Sequence, residues 1–163
     1  MSGELQKSPV TGEQLGRLAA TGQLYAVVDA CKEPEVPPKC KSLGERAVSL
    51  YRGGAEEQYA DIAPYLVAMD AAVLSWVKQR LWPRPWGIFI YSDAALEALR
   101  THLRHFLKVK DEQGKQYFFR FYDPRILPPF LESSNREELR QFFGPVRAYG
   151  VGEGDGGLFF RGA

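Results

Sequence analysis

The chain has 163 residues and a nearly balanced charge, with 21 lysines and arginines against 20 aspartates and glutamates. This length suits one ordinary domain, and a net charge of +1 argues against nucleic-acid binding, which needs a basic excess to neutralise phosphates. No apolar run approaches the roughly 20 residues of a membrane helix, and the N-terminus has no signal-peptide core. We therefore expect a cytoplasmic globular protein without membrane or nucleic-acid partners.

The first 22 residues predict a short helical lead-in to the rest of the chain. Thr11 and Gln14 have the spacing of a capping box. Leu15, Leu18 and Ala19 then form a short apolar stripe, which predicts an amphipathic helix over about residues 12–21 with Gly22 as a natural stop. We treat residues 1–22 as an N-terminal helical lead-in and residues 23–163 as a single α/β domain.

Residues 24–67 contain one strong strand signal and two weaker ones. Residues 24–29 form a near-continuous apolar run, which predicts a buried strand with Asp29 at its carboxyl end. Residues 31–41 contain three prolines and several charges, which predicts an irregular loop. A short strand is expected over residues 47–51, and another ends near residue 67, with Pro64 at its first position or on an edge strand.

The middle of the chain predicts two helices around a second buried strand. Asp70 can cap a helix over residues 71–80, and Gly87–Tyr91 is the strand. Ser92 or Asp93 is the expected N-cap of the next helix, which runs to about residue 107.

The last third predicts a hairpin, a helix and two final strands. The hairpin spans residues 107–122, around a glycine-containing loop. A capping box over Ser134–Glu137 opens a helix that ends at Gly144, and two short strands flank the glycine-rich residues 150–157. Together the elements predict an α/β fold, with a mixed, partly parallel β-sheet flanked by helices and an antiparallel hairpin.

Catalytic and cofactor signals are weak throughout the chain. Ser92 follows a strand but lacks the glycines of a nucleophile elbow, and the glycine-rich stretch lacks the lysine of a phosphate loop. His102 and His105 are read as exposed residues, and Cys31 with Cys40 as ordinary thiols, because no ligands complete a metal site. We expect no enzyme activity, cofactor or metal. The alternative is a small hydrolase or phosphoryl-handling enzyme near Asp29 and Ser92.

One polar group stands out beside a strongly apolar run. Arg120 lies within Phe118–Tyr122, and a buried arginine must be paired. Asp29 is its candidate partner, so the sequence predicts either an Arg–Asp pair that ties a strand to a turn or a polar recognition point. Asp123 and Arg125 follow Arg120 in a turn or helix start.

Aromatic residues make up 13% of the chain and divide into two expected groups. The core group lies on predicted strands and consists of Phe89, Tyr91, Phe118, Phe119 and Phe121. Tyr65, Trp82 and Trp86 lie near loops and are the expected partner surface, although core packing of one or both tryptophans remains open.

The order of these motifs resembles the bacterial type VI secretion effector chaperones, also called adaptors, whose domain was long catalogued as one of unknown function. The resemblance rests on residues 24–30, 63–67, 86–92, 102–104, 119–125 and 143–145, and the Arg-Phe-Tyr-Asp-Pro-Arg run is its most specific part.

The resemblance implies a non-enzymatic protein. Such adaptors bind a particular toxic effector in the cytoplasm and help to load it onto the VgrG spike. Many continue into a C-terminal helical lobe, so we expect this chain to be the N-terminal lobe or a short member. A permanent subunit of a larger assembly is a further alternative. The expected protein-binding or structural positions are Asp29, Pro64, Tyr65, Trp82, Trp86, Arg120, Tyr122, Asp123, Pro124 and Arg125.

Overall fold

A computed structural model describes residues 5–162, in which strands and helices alternate along most of the chain. The strands are β1 (Leu5–Val10), β2 (Leu24–Asp29), β3 (Ala47–Ser49), β4 (Pro64–Ala68), β5 (Gly87–Tyr91), β6 (Lys108–Lys110), β7 (Gln116–Phe118), β8 (Ala148–Glu153) and β9 (Gly156–Gly162). The helices are α1 (Gly12–Ala20), α2 (Val36–Ser42), α3 (Gly54–Gln58), α4 (Ala71–Arg80), α5 (Leu96–Arg104), α6 (Leu127–Ser133) and α7 (Arg136–Phe143). None of these described helices is long and apolar enough to cross a membrane.

Seven of the described strands form one sheet in the order β1-β9-β8-β5-β2-β4-β3, while β6 and β7 pair separately as a hairpin. The α/β class, the flanking helices and the antiparallel hairpin are therefore confirmed. The expected parallel pairs are wrong, because every described pair is antiparallel. Strands β4 and β5, which α4 connects, do run in the same direction, but β2 lies between them and pairs with both.

The sheet is covered by helices on both faces. All six residues of β2 are buried, as its apolar run predicts. Tyr25 and Val27 point to a core shared with α5, α6 and α7. Leu24, Ala26 and Val28 point to the opposite core, which includes residues of α1, α2 and α4. This alternation follows from the two-residue period of a strand.

Two local predictions are wrong. The segment expected as a loop contains α2, because Pro37 and Pro38 stand in its first turn, where a missing amide proton costs nothing. Ser92 does not cap α5, since Ala95 occupies the N-cap position without a side-chain hydrogen bond. The Ser92 hydroxyl instead donates to the carbonyl of Pro145 and accepts from the amide of Ala94.

Strand β1 is an element that the sequence analysis did not predict. It pairs along its whole length with β9, from Leu5 opposite Gly162 to Val10 opposite Gly157. The end of β1 lies very close to the start of β9, because a Cβ on Gly156 would lie 1.9 Å from the carbonyl oxygen of Val10. The predicted helix follows as α1, with its capping box formed by Thr11 and Gln14. The division of the chain at residue 22 remains a prediction.

Candidate functional site

A groove of about 770 Å³ opens between α3 and the β6–β7 hairpin, next to the chain segment that leaves edge strand β3. Its lining comprises Leu50, Tyr51, Arg52, Ala55, Tyr59, Ile62, Arg104, His105, Leu107, Lys108, Phe118, Arg120 and Tyr122. Leu50 and Tyr122 are buried, whereas Tyr59 and Phe118 are exposed. The groove therefore has a buried apolar floor and open walls, a shape suited to receiving a side chain or a short chain segment.

The large apolar side chains that the described residues leave exposed all lie at this groove or on the hairpin beside it. Tyr59, Ile62 and Phe118 line the groove, and the exposed fraction of Phe118 reaches 68%. Val109 and Tyr117 face each other across the hairpin, on the face opposite to Phe118. Such a concentration of exposed apolar surface is typical of an interaction site.

The expected core position of Phe118 is therefore wrong. An apolar run predicts a strand but does not predict what the strand pairs with. Among the described strands, β7 pairs with β6 alone, and all six residues of the two strands are exposed. Phe119 is half-buried and packs on Phe130, while Phe89 and Phe121 are fully buried, as expected.

The charged side chains in the groove lining are all cationic. Arg52, Arg104, Lys108 and Arg120 line it together with His105, and no aspartate or glutamate among residues 5–162 does so. Within residues 5–162, Arg120 forms an ion pair, but no carboxylate lies within ion-pair distance of Arg52, Arg104 or Lys108. The groove is thus positive although the whole chain carries a charge of only +1.

Arg104 fixes one wall of the groove through the backbone. Its guanidinium donates to three successive carbonyls, at 3.3 Å to Ser49, 3.0 Å to Leu50 and 2.7 Å to Tyr51. Arg100, one turn earlier on α5, also donates to the Ser49 carbonyl at 3.0 Å. Sequence reasoning missed both arginines. Their i,i+4 spacing on an amphipathic helix was the available signal, but nothing in it indicated the carbonyl partners.

The structure confirms the predicted pair between Arg120 and Asp29. Arg120 donates to one carboxylate oxygen of Asp29, and the amide of Cys31 donates to the other at 2.9 Å. The Arg120 guanidinium also lies 5.2 Å from the ring centre of the buried Tyr122. Burial raises the pKa of Asp29, although the Cys31 amide and the Arg120 cation act in the opposite direction. Arg120 follows β7, is partly exposed and lines the groove. Because it also pairs with Asp29, the last residue of β2, it connects the groove to the end of that strand.

Asp123 and Arg125 form a local unit outside the groove lining. The Asp123 carboxylate accepts from the Arg125 amide at 2.8 Å and from its guanidinium at 2.8 and 3.0 Å. Burial favours the neutral form of Asp123, but these bonds outweigh it and lower its pKa. Arg125 and Pro124 border a second, smaller recess that also includes Trp82.

The tryptophans and Tyr65 do not line the groove. Trp86 is 3% exposed and packs edge-on against Phe89 at 5.1 Å between ring centres, so its expected place on a partner surface is wrong. Trp82 is half-buried and its indole donates to the Gly154 carbonyl at 2.8 Å. Tyr65 is half-buried and donates to the Ala60 carbonyl at 2.6 Å. Pro64 begins β4, as predicted.

The residues proposed for an enzymatic alternative are not brought together. Asp29 ends β2, whereas the amide of Ser92 donates to the carbonyl of Gln23, just before β2 begins. The two side chains therefore lie at opposite ends of the same strand, roughly 20 Å apart at about 3.3 Å per residue. The Ser92 hydroxyl is fully buried.

The two histidines also have separate surroundings. His102 is not the exposed residue that was expected, because its Nε2 lies 2.7 Å from the Phe142 carbonyl and burial lowers its pKa. His105 lines the groove. Within residues 5–162, no group of three or more His, Cys, Asp or Glu side chains could hold a metal ion.

The fold and the groove together define an α/β domain that presents an apolar, cationic recess beside one edge of its sheet. The chain belongs to the family described as Domain of unknown function (DUF4123), whose model matches residues 24–141. Comparisons with curated proteins and with solved structures found no match. The matched region contains the groove, the Asp29–Arg120 pair and the Arg-Phe-Tyr-Asp-Pro-Arg run.

Proposed function

We propose that this protein is an adaptor of a type VI secretion system. It binds a cognate toxic effector in the cytoplasm and assists the loading of that effector onto the VgrG spike. The observation that carries the proposal is the gathering of exposed apolar side chains at one groove and its hairpin. Membership of the DUF4123 family adds the resemblance to known effector adaptors.

The physical chemistry of the groove favours binding over catalysis. Tyr59, Ile62 and Phe118 would each bury apolar area on contact with a partner, and aromatic anchors dominate the energy of many protein interfaces. The groove volume accommodates several side chains rather than a whole domain, so the partner would insert a segment. The separation of Asp29 from Ser92 weighs against the enzymatic alternative that used both residues.

Co-expression with the effector encoded beside this protein, and with VgrG, tests the proposal. We expect the effector to co-purify with the adaptor in a stable complex, and Phe118→Ala to reduce its recovery. Trp76→Ala is the matched control, because it removes a partly exposed aromatic side chain on α4, which packs on the other face of the sheet and outside the groove lining. Failure of the wild-type protein to retain either partner would contradict the proposal. So would persistence of the protein in the assembled spike, which would indicate a permanent subunit.

A further inference from the structure

We propose that the groove binds an acidic segment of its partner, one that carries large apolar side chains next to aspartates or glutamates. This inference rests on the proposed adaptor function and specifies which part of the partner is recognised. The apolar lining of the groove, the sign of its charge and the rigidity of its walls each specify one property of this segment.

The apolar requirement follows from the floor and walls of the groove. Leu50 and Leu107 form part of the lining beneath Phe118, Tyr59 and Ile62. Only an apolar side chain removes this surface from water without leaving a polar group unpaired. The partner segment must therefore contribute at least one aliphatic or aromatic anchor.

The acidic requirement follows from two cations of the groove lining, Arg52 and Lys108, that have no ion-pair partner among residues 5–162. Arg52 and Lys108 are exposed, and neither has a carboxylate within ion-pair distance. The Lys108 ammonium lies over the ring of Phe118, 5.6 Å from the ring centre. An acidic residue next to the apolar anchor would meet these cations at the rim, where charge complementarity sets the rate and selectivity of association.

The walls of the groove are held in place before any partner arrives. Arg104 fixes residues 49–51 through three carbonyls. On the opposite wall, the Phe119 amide donates to the Leu107 carbonyl at 2.8 Å, which ties the base of the hairpin together. A preformed groove loses little conformational entropy when a segment binds.

The same charges disfavour a second copy of this chain as the occupant. A symmetric dimer through the groove would place its cations against an identical set, and like charges in close contact oppose association. A nucleic acid would match the charge, but the apolar floor offers nothing to a phosphate backbone. A protein segment with both chemistries fits the groove best.

Charge reversal tests the inference against the effector encoded beside this protein. Overlapping peptides that tile the effector are labelled and titrated with the full adaptor by fluorescence anisotropy. We expect the binding peptides to combine acidic with large apolar residues and to bind more weakly as salt is raised. The double variant Arg52→Glu/Lys108→Glu should weaken binding about tenfold or more, and Phe118→Ala by about tenfold. Lys39→Glu/Lys41→Glu, on α2 outside the groove lining, reverses the same number of charges and should retain wild-type affinity.

Each outcome addresses one part of the proposal. If the intact effector does not bind the wild-type adaptor, the proposed function itself fails. If the intact effector binds but the groove variants retain full affinity, only the groove inference fails. Preference for neutral or basic peptides, preference for single-stranded oligonucleotides, or a dimer that the groove variants abolish would also overturn it. Replacing the acidic peptide residues by lysine should restore binding to the doubly reversed variant, and unchanged circular dichroism excludes misfolding as the cause.

Discussion

Replacing Arg120 by alanine should destabilise the fold by an amount that the structure bounds. Arg120 is 40% exposed, whereas the Asp29 carboxylate that accepts its hydrogen bond is only 10% exposed. An exposed ion pair contributes about 0–1 kcal/mol, and breaking a buried one costs about 3–5 kcal/mol. The intermediate burial of this pair therefore gives a loss of about 1–2 kcal/mol in the free energy of unfolding. For a domain of this size, the melting temperature should fall by about 3–6 °C.

The loss should depend on pH because Asp29 titrates. Its pKa in the folded protein is raised above the ordinary 3.8, so the folded state holds this proton more tightly than the unfolded state. The contribution of the Asp29 carboxyl to the free energy of unfolding is therefore complete below its pKa in the unfolded state. It declines as the pH rises through its pKa in the folded state. Removing the Arg120 cation raises the folded pKa further. The difference between wild type and Arg120→Ala should thus be small near about pH 4 and grow toward neutral pH.

Urea unfolding at several pH values measures this difference, and carboxylates that do not interact with Arg120 cancel because both proteins contain them. Arg120 also helps to lower the pKa of Asp123, which adds a smaller pH-dependent contribution. Asp29→Asn provides the second corner of a double-mutant cycle, in which most of the pH dependence of the Arg120→Ala effect should disappear. Arg17→Ala, which removes a fully solvated ion pair on α1, is the control and should barely alter stability. An Arg120→Ala effect equal at both ends of the pH range would contradict a stabilising pair between Arg120 and ionised Asp29. Unchanged stability with lost partner binding would assign Arg120 to recognition instead.

Three further predictions concern other parts of the fold. Arg104→Ala should lower the free energy of unfolding in urea by about 2–3 kcal/mol, because three carbonyls lose a charged donor. Arg104→Lys should lose less stability than Arg104→Ala but should not reach the wild-type value. Because burial lowers the pKa of His102, stability should fall as pH drops through about 6.5, and His102→Gln should flatten that part of the stability profile. Gly87→Ala should abolish folding, as judged by circular dichroism, because its Cβ would lie 2.0 Å from the Val27 carbonyl oxygen. Gly114→Ala is the comparison for Gly87→Ala. Gly114 has a φ of +82° but open space around it, so this substitution should lower the free energy of unfolding by only about 1 kcal/mol.

The sequence predicted those elements whose signal is local. The capping box at Thr11 and the apolar run before Asp29 each specify a structure within a few residues, and both elements form as expected. The Asp29–Arg120 pair was also predictable, because a cation beside an apolar run needs a counter-charge and few carboxylates end a buried strand. Such inferences depend on residue chemistry rather than on the path of the chain.

The groove depends on the path of the chain, and the sequence did not predict it. Phe118 has the same local signal as a core strand residue, yet its hairpin joins none of the other strands in residues 5–162. Arg52 and Arg104 are far apart in sequence and meet only because α5 packs beside the segment after β3. The antiparallel pairing of β2 with β5 likewise follows from the insertion of β2 between two strands that share a direction. Strand signals alone do not specify partners.

The pairing of β1 with β9 brings the two ends of the described chain together, since Leu5 and Gly162 are register partners. A short glycine-serine linker between them, with new ends opened in the exposed loop at residue 112, would give a circular permutant that retains every strand pair of the large sheet. In that permutant β9 and β1 become neighbours in sequence, so their pairing turns from the most distant contact in the sheet into a local one. The β1–β9 edge of the large sheet should then form earlier during folding of the permutant than during folding of the original chain.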